Sequence, residues 1–269
     1  MTRVWMVALC AYLASVPPVS AQYVEVTAGR AHVGASNDGS KEVSLVTGLK
    51  NSTDLPTPEL IDARRALVAG SHVSPSKIRA LADLQDGFAA YRFAQYLEAK
   101  SDPDLAADVA HYYGIAAATG RGGALRGMVQ ALQEIDPERT SEGRLQSLKA
   151  VFLAYLRAGN SHALKVVVGF HISEKPFGPL GDDIEKIVQL NGAPGAGPIA
   201  LQLASVTLQT KDAELADLER ARAYLEIARA SPSLSVRATA VNLIPVAESA
   251  LKKQHMDGLE QAGKEKSDG

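Results

Sequence analysis

The sequence predicts an all-α fold, a right-handed α/α solenoid of about five helix pairs. Three observations predict it. Ala and Leu dominate a chain that is 46% hydrophobic and only 5% aromatic, a composition suited to helices packed closely through small residues. Turn residues recur in the chain, each followed four and eight positions later by small or apolar residues. Those units recur at spacings in the thirties, the length that two helices of about 12–15 residues and two short turns require.

The elements follow in order. Residues 1–21 read as a signal peptide, with Arg3 ahead of the apolar run "VWMVALCAYLASV" and with Val19 and Ala21 at the −3 and −1 positions of a cleavage site. The expected mature start is Gln22, in a periplasmic or secreted protein, with no stable membrane span once the segment is removed. Cys10, the sole cysteine, leaves with this segment, so no disulfide, thiolate metal ligand or cysteine nucleophile is expected. A secreted domain without disulfides is common in the bacterial periplasm. Asn51-Ser52-Thr53 is a glycosylation sequon, which matters only in a eukaryotic secretory route.

Residues 22–57 alternate briefly in "YVEVT" and then accumulate Gly, Ser, Asn, Thr and Pro, which predicts a flexible N-terminal arm. Residues 58–251 carry helical patterns and form the predicted repeat domain, opened by a capping helix near Glu59–Ala69. Residues 252–269 are charged with little to bury and are expected to be a disordered tail.

The repeat units are Asp86/Ala90/Ala94, Gly120/Ala124/Met128, Gly159/Ala163/Val167, Ala196/Ala200/Ala204 and Pro232/Val236/Ala240. Residues four apart share a helix face, so each unit marks a seam where two helix axes approach. The glycine-rich stretch "YYGIAAATGRGGALRG" then has two readings, a phosphate loop or a helix–helix turn. Asp102-Pro103 caps a helix whose face carries Ala106, Ala110, Tyr113 and Ala117, and Gly120 stops it. A phosphate loop follows a buried strand and carries Gly-Lys-Ser/Thr, and neither is present. The turn reading is therefore preferred, and "NGAPGAGPIA" at 191–200 is read as a second such junction.

Tyr112, Ala116, Ala117, Gly120, Ala124 and Met128 together resemble the SEL-like repeat, a relative of the tetratricopeptide repeat. Asp217, Ala221, Tyr224 and Ala228 match the same pattern in a later copy, with Arg229 in place of the second Ala and Pro232 in place of Gly. The resemblance covers roughly residues 75–248. It implies a protein–protein interaction scaffold. With the signal peptide, it is also similar to periplasmic repeat proteins of bacterial exopolysaccharide export and its regulation. One departure is that Cys10 follows Leu9 rather than a small residue, so a lipid anchor is not implied.

Candidate chemistry is sparse. His171-x-x-Glu174 lacks the second His of a zinc protease helix and reads as a loop His beside a solvated Glu. His111 beside Asp108 reads as a partly exposed helix residue. Asp182, Asp183 and Glu185 read as an acidic helix start that suits the helix dipole. No G-x-S-x-G elbow occurs. Tyr91, Tyr96, Tyr112, Tyr113, Tyr155 and Tyr224 follow helical spacing and are read as mostly core. The chain carries 28 Lys and Arg against 30 Asp and Glu, and this slightly acidic balance argues against nucleic acid. No catalytic residue, metal ligand or cofactor is predicted.

One series stands out. Arg92, Arg126, Lys165 and Gln202 each lie two residues after a repeat alanine, on the helix face away from the seam. Stacked repeats would align three bases along one side, either as a solvated face or as a groove for an anionic partner. The expected function is a non-catalytic adaptor or regulator that binds a protein partner of the envelope or secretion machinery. An enzyme acting on cell wall or polysaccharide, and direct binding of an anionic polysaccharide, are the alternatives.

Overall fold

The computed structural model describes residues 32–35, 41–190 and 192–265. The predicted signal peptide at 1–21 lies outside the described residues. Among the described residues eleven α-helices dominate, and one two-stranded hairpin precedes them. The hairpin pairs β1 (His32–Ala35) antiparallel with β2 (Lys41–Ser44). The helices are α1 (Pro58–Val68), α2 (Pro75–Asp83), α3 (Gly87–Glu98), α4 (Ala106–Ala118), α5 (Ala124–Glu134) and α6 (Glu142–Arg157). They continue with α7 (Ser161–Ser173), α8 (Gly181–Gln189), α9 (Ala196–Gln209), α10 (Leu215–Arg229) and α11 (Leu234–Glu265).

Local chemistry places the helix starts. Thr57 caps α1 by accepting from the Leu60 N–H, with Pro58 at the first position. Asp86 caps α3 by accepting from the Phe88 and Ala89 N–H groups, and Asn160 caps α7 through the His162 N–H. Asp102 caps a single 3-10 turn, Pro103–Leu105, so α4 itself starts at Ala106 rather than at the Asp-Pro pair.

Most of the residues assigned to seams are buried, and Val236 is only partly so. Ala90, Ala94, Ala124, Met128, Ala163 and Val167 are buried, as are Ala200, Ala204 and Ala240. Consecutive helices pack on each other from α1 through α5, and α6 packs on α7. The run resumes from α8 through α11. Contacts also skip one helix: α4 meets α6, α5 meets α7, α7 meets α9 and α9 meets α11. Phe152, Phe170 and Phe177 meet in a triangle of rings with centroids 5.4–5.9 Å apart.

The turns between helix partners also touch. Gly120 (φ 97°) and Gly159 (φ 75°) take the left-handed conformation that ends α4 and α6, as a helix stop requires. In the first copy that conformation falls on Gln85 (φ 63°), so Asp86 is the cap of the next helix and not the turn residue. Ala196 is likewise not a turn residue, because it opens α9 and is buried. The Gly195 N–H donates to the Arg157 carbonyl at 3.0 Å, locking the 192–195 junction against the end of α6.

The predicted arm divides. Residues 45–57 are docked as a strap. The Leu45 and Val46 N–H groups donate to the Ala118 carbonyl at 2.8 and 3.2 Å, and the Leu49 N–H donates to Gln85 at 3.1 Å. Leu55 is buried, and Arg64 reaches both Ser52 Oγ (2.8 Å) and Asp86 (2.6 Å). The strap therefore satisfies carbonyls at two helix ends that no helix could. The predicted tail also differs, since α11 continues as helix to Glu265. Lys, Gln and Glu are strong helix formers, and a helix already nucleated by packing propagates cheaply into them.

Candidate interaction surface

The helices differ in charge, and α7 and α9 carry no acid. Polar and charged side chains join successive even helices. The Tyr112 hydroxyl on α4 donates to Asp83 on α2 at 2.9 Å. Arg144 on α6 pairs with Asp108 on α4 at 2.6 Å. Lys149 on α6 pairs with Asp183 on α8 at 2.7 Å. The Tyr224 hydroxyl on α10 donates to Glu185 on α8 at 2.7 Å. Each even helix is thus bonded to the next, and Tyr112 and Tyr224, the two aromatic positions of the repeat motif, do the same job in different copies. Burial, followed by the carboxylate partner, pushes both hydroxyls up to about 12, so they remain donors.

Helices α3, α5, α7 and α9 carry few charges. The only acids on α3 and α5 are their last residues, Glu98 and Glu134, and α7 and α9 have none. Arg92, Arg126 and Lys165 are exposed, and Gln202 is half-buried. Among the described residues no ion pair engages the three bases. Arg92 makes one side-chain hydrogen bond, to the Gln95 amide oxygen at 3.3 Å.

Each of these four positions begins an exposed stripe at i, i+4 and i+7. On α3 Tyr96 and Ala99 follow Arg92, and on α5 Gln130 and Gln133 follow Arg126. On α7 Gly169 and Ile172 follow Lys165. On α9 the partly exposed stripe runs from Gln202 through Val206 to Gln209. No position of the four stripes is acidic. Sequence reasoning found the bases but missed their neutral neighbours. Tyr96 is 39% exposed rather than core, stacked on Phe93 with Lys100 Nζ 4.9 Å from its ring centre. The i+4 and i+7 steps from each base were the signal that would have found them.

Other candidate chemistry disperses. His171 lies in the last turn of α7, not in a loop, and Glu174 ends that helix with φ 55°. Asp182 and Asp183 open α8, as read. A cleft of about 320 Å³ lies beside the 103–105 turn, floored by Leu97, Ala106 and Val109 and rimmed by Glu98, Asp102 and Glu134. Its acids repel anions, so it is not where an anionic partner would sit. Among the described residues no group of three or more His, Asp and Glu is placed to hold a metal, and no helix is long and apolar enough to cross a membrane.

His111 carries the clearest perturbed titration. Burial first, and Arg144 next, push it down to about 4, against the weaker pull of Asp108 and Asp83. Its proton is therefore bound more readily in the unfolded chain. Stability is full above about pH 6.5 and is lost as the pH falls from there toward 4, by about 2–3 kcal/mol. His111→Gln should lose about that much less stability than wild type over this range, measured by urea unfolding at both ends. Parallel losses in the two proteins would contradict the assignment.

Compared with known proteins, the chain matches no family model, no curated protein and no solved structure.

Proposed function

We propose that this chain is a non-catalytic helical-repeat adaptor. In this reading the five helix pairs α2/α3 to α10/α11 stack as a right-handed α/α solenoid, α1 caps one end, and a protein partner lies across the odd-helix stripes. The setting is the periplasm or the secreted fraction, in exopolysaccharide production or envelope signalling, as the SEL-like resemblance implies. The skip-one contacts and the even-to-even bonds support the stacking, because a solenoid repeat touches mainly its neighbours. One observation carries the functional reading. Helices α3, α5, α7 and α9 present exposed or partly exposed stripes that carry no acid, and among the described residues no ion pair engages Arg92, Arg126 or Lys165.

Gly169 offers the test. It is exposed in the middle of α7, and a Cβ there meets nothing within 4 Å. Gly169→Trp should therefore keep the thermal midpoint at or above wild type, since glycine is a poor helix former. It should also abolish retention of envelope proteins on the immobilised chain. Glu219→Trp, exposed on α10, should retain them. Equal retention by wild type and Gly169→Trp would overturn the adaptor reading.

A further inference from the structure

We propose that the cleft beside the 103–105 turn binds a linear aliphatic polyamine, a chain of methylenes carrying several ammonium groups. This site is independent of the adaptor reading. Three helices build it. The last turn of α3 supplies Leu97 and Glu98, the last turn of α5 supplies Ala131 and Glu134, and the first turn of α4 supplies Ala106 and Val109. Its volume of about 320 Å³ falls at the small end of ligand clefts, which run from about 300 to 1,000 Å³. Leu97, Ala106, Val109 and Ala131 are all buried, so the floor is apolar and well packed.

The rim is anionic, and no base answers it. Glu98, Asp102 and Glu134 line the cleft together, whereas no Lys or Arg does. The Tyr113 hydroxyl donates to Glu98 Oε2 at 2.7 Å, and the Asp104 N–H donates to Asp102 Oδ1 at 3.0 Å. Each bond holds its carboxylate in place. Among the described residues no bond takes the second oxygen of either, and Glu134 keeps both of its own.

A second feature of the same cleft asks for a cation. α3 and α5 both end there on a glutamate, and neither has a base in its last turn. A helix C-terminus carries partial negative charge and favours Lys, Arg or protonated His. Two such ends and three carboxylates therefore converge on one cavity, and a bound cation relieves both.

The placing of the acids selects the form of that cation. Among the described residues no group of three acids is placed to hold a metal, so the rim carboxylates are too far apart to share one ion. An extended cation spans them. A lysine side chain from a partner brings one charge to three carboxylates. A triamine brings three, and its methylenes cover the apolar floor while its ammonium groups reach the rim, as a lysine stem and head divide between apolar surface and water.

The test is calorimetric titration of the full chain with spermidine at low salt. Spermidine should bind saturably, one per chain, and more weakly as salt rises. The double variant Glu98→Gln, Glu134→Gln should weaken binding about ten-fold. Its thermal midpoint should stay at the wild-type value, because both side chains are exposed and an amide oxygen at 98 still accepts from Tyr113. The double variant Glu138→Gln, Glu142→Gln removes the same charge from exposed positions outside the cleft and should change affinity less than about two-fold. An acetylated, amidated trilysine, with the same three charges on a peptide, should bind more weakly than spermidine. Magnesium should compete no better than sodium at equal ionic strength. No saturable binding, equal weakening by the two double variants, tighter binding of trilysine, or specific displacement by magnesium would each overturn the proposal.

Discussion

Gly195→Val should cost about 3 kcal/mol or more, the upper end of what overpacking a close contact costs, and lower the thermal midpoint by roughly 6–12 °C. The backbone at Gly195 is ordinary (φ −79°, ψ −22°), so the penalty is not conformational. It is steric, because a Cβ there would collide with the Leu156 carbonyl oxygen at the end of α6. That oxygen is backbone and cannot swing aside as a flexible side chain can. The contact is also fixed by the Gly195 N–H to Arg157 carbonyl bond, so relief would require separating two junctions that hold α6/α7 against α8/α9. Gly169→Ala is the matched control. It adds its methyl into open space on an exposed helix and should raise stability by up to about 1 kcal/mol. A Gly195→Val protein that melts with wild type would show that these junctions do not interlock.

Phe152→Ala should cost about 4 kcal/mol. Phe152 is fully buried on α6 and touches two other rings, Phe170 on α7 and Phe177 in the loop before α8. Removing it leaves a cavity whose far walls are rigid rings, which cannot collapse to refill it. Phe177→Ala should cost less, because Phe177 sits in a loop that can move inward. Urea midpoints order the two variants, and a larger loss for Phe177→Ala would contradict this account of the cluster.

The seams were legible because helix geometry leaves a trace in composition. Ala90, Ala124, Ala163 and Ala200 stand at equivalent places in their copies, and all four are buried. The turns were legible to within a residue. Gly120 and Gly159 announce their left-handed backbone, whereas Gln85 does not, and the strong capping signal of Asp86 drew the turn one position late. The strap was not legible, because its docking rests on three backbone N–H groups, the Arg64–Ser52 hydrogen bond and a single buried leucine, none of which gives a period. The bonds between even helices were hidden for a related reason. Asp83 and Tyr112, or Glu185 and Tyr224, meet only once the helices between them have folded. At the surface, the bases were visible one at a time. Their neutral neighbours became visible only when burial showed which positions share their face.

The claim that the face of α3, α5, α7 and α9 is the binding face is most directly tested by amide chemical-shift mapping with an envelope protein eluted from the immobilised chain. Shifts should concentrate around Arg92, Tyr96, Arg126, Gln130, Lys165 and Gly169, with those of α10 unmoved. Shifts centred instead on the even helices, around Asp108, Asp183 or Glu219, would contradict it.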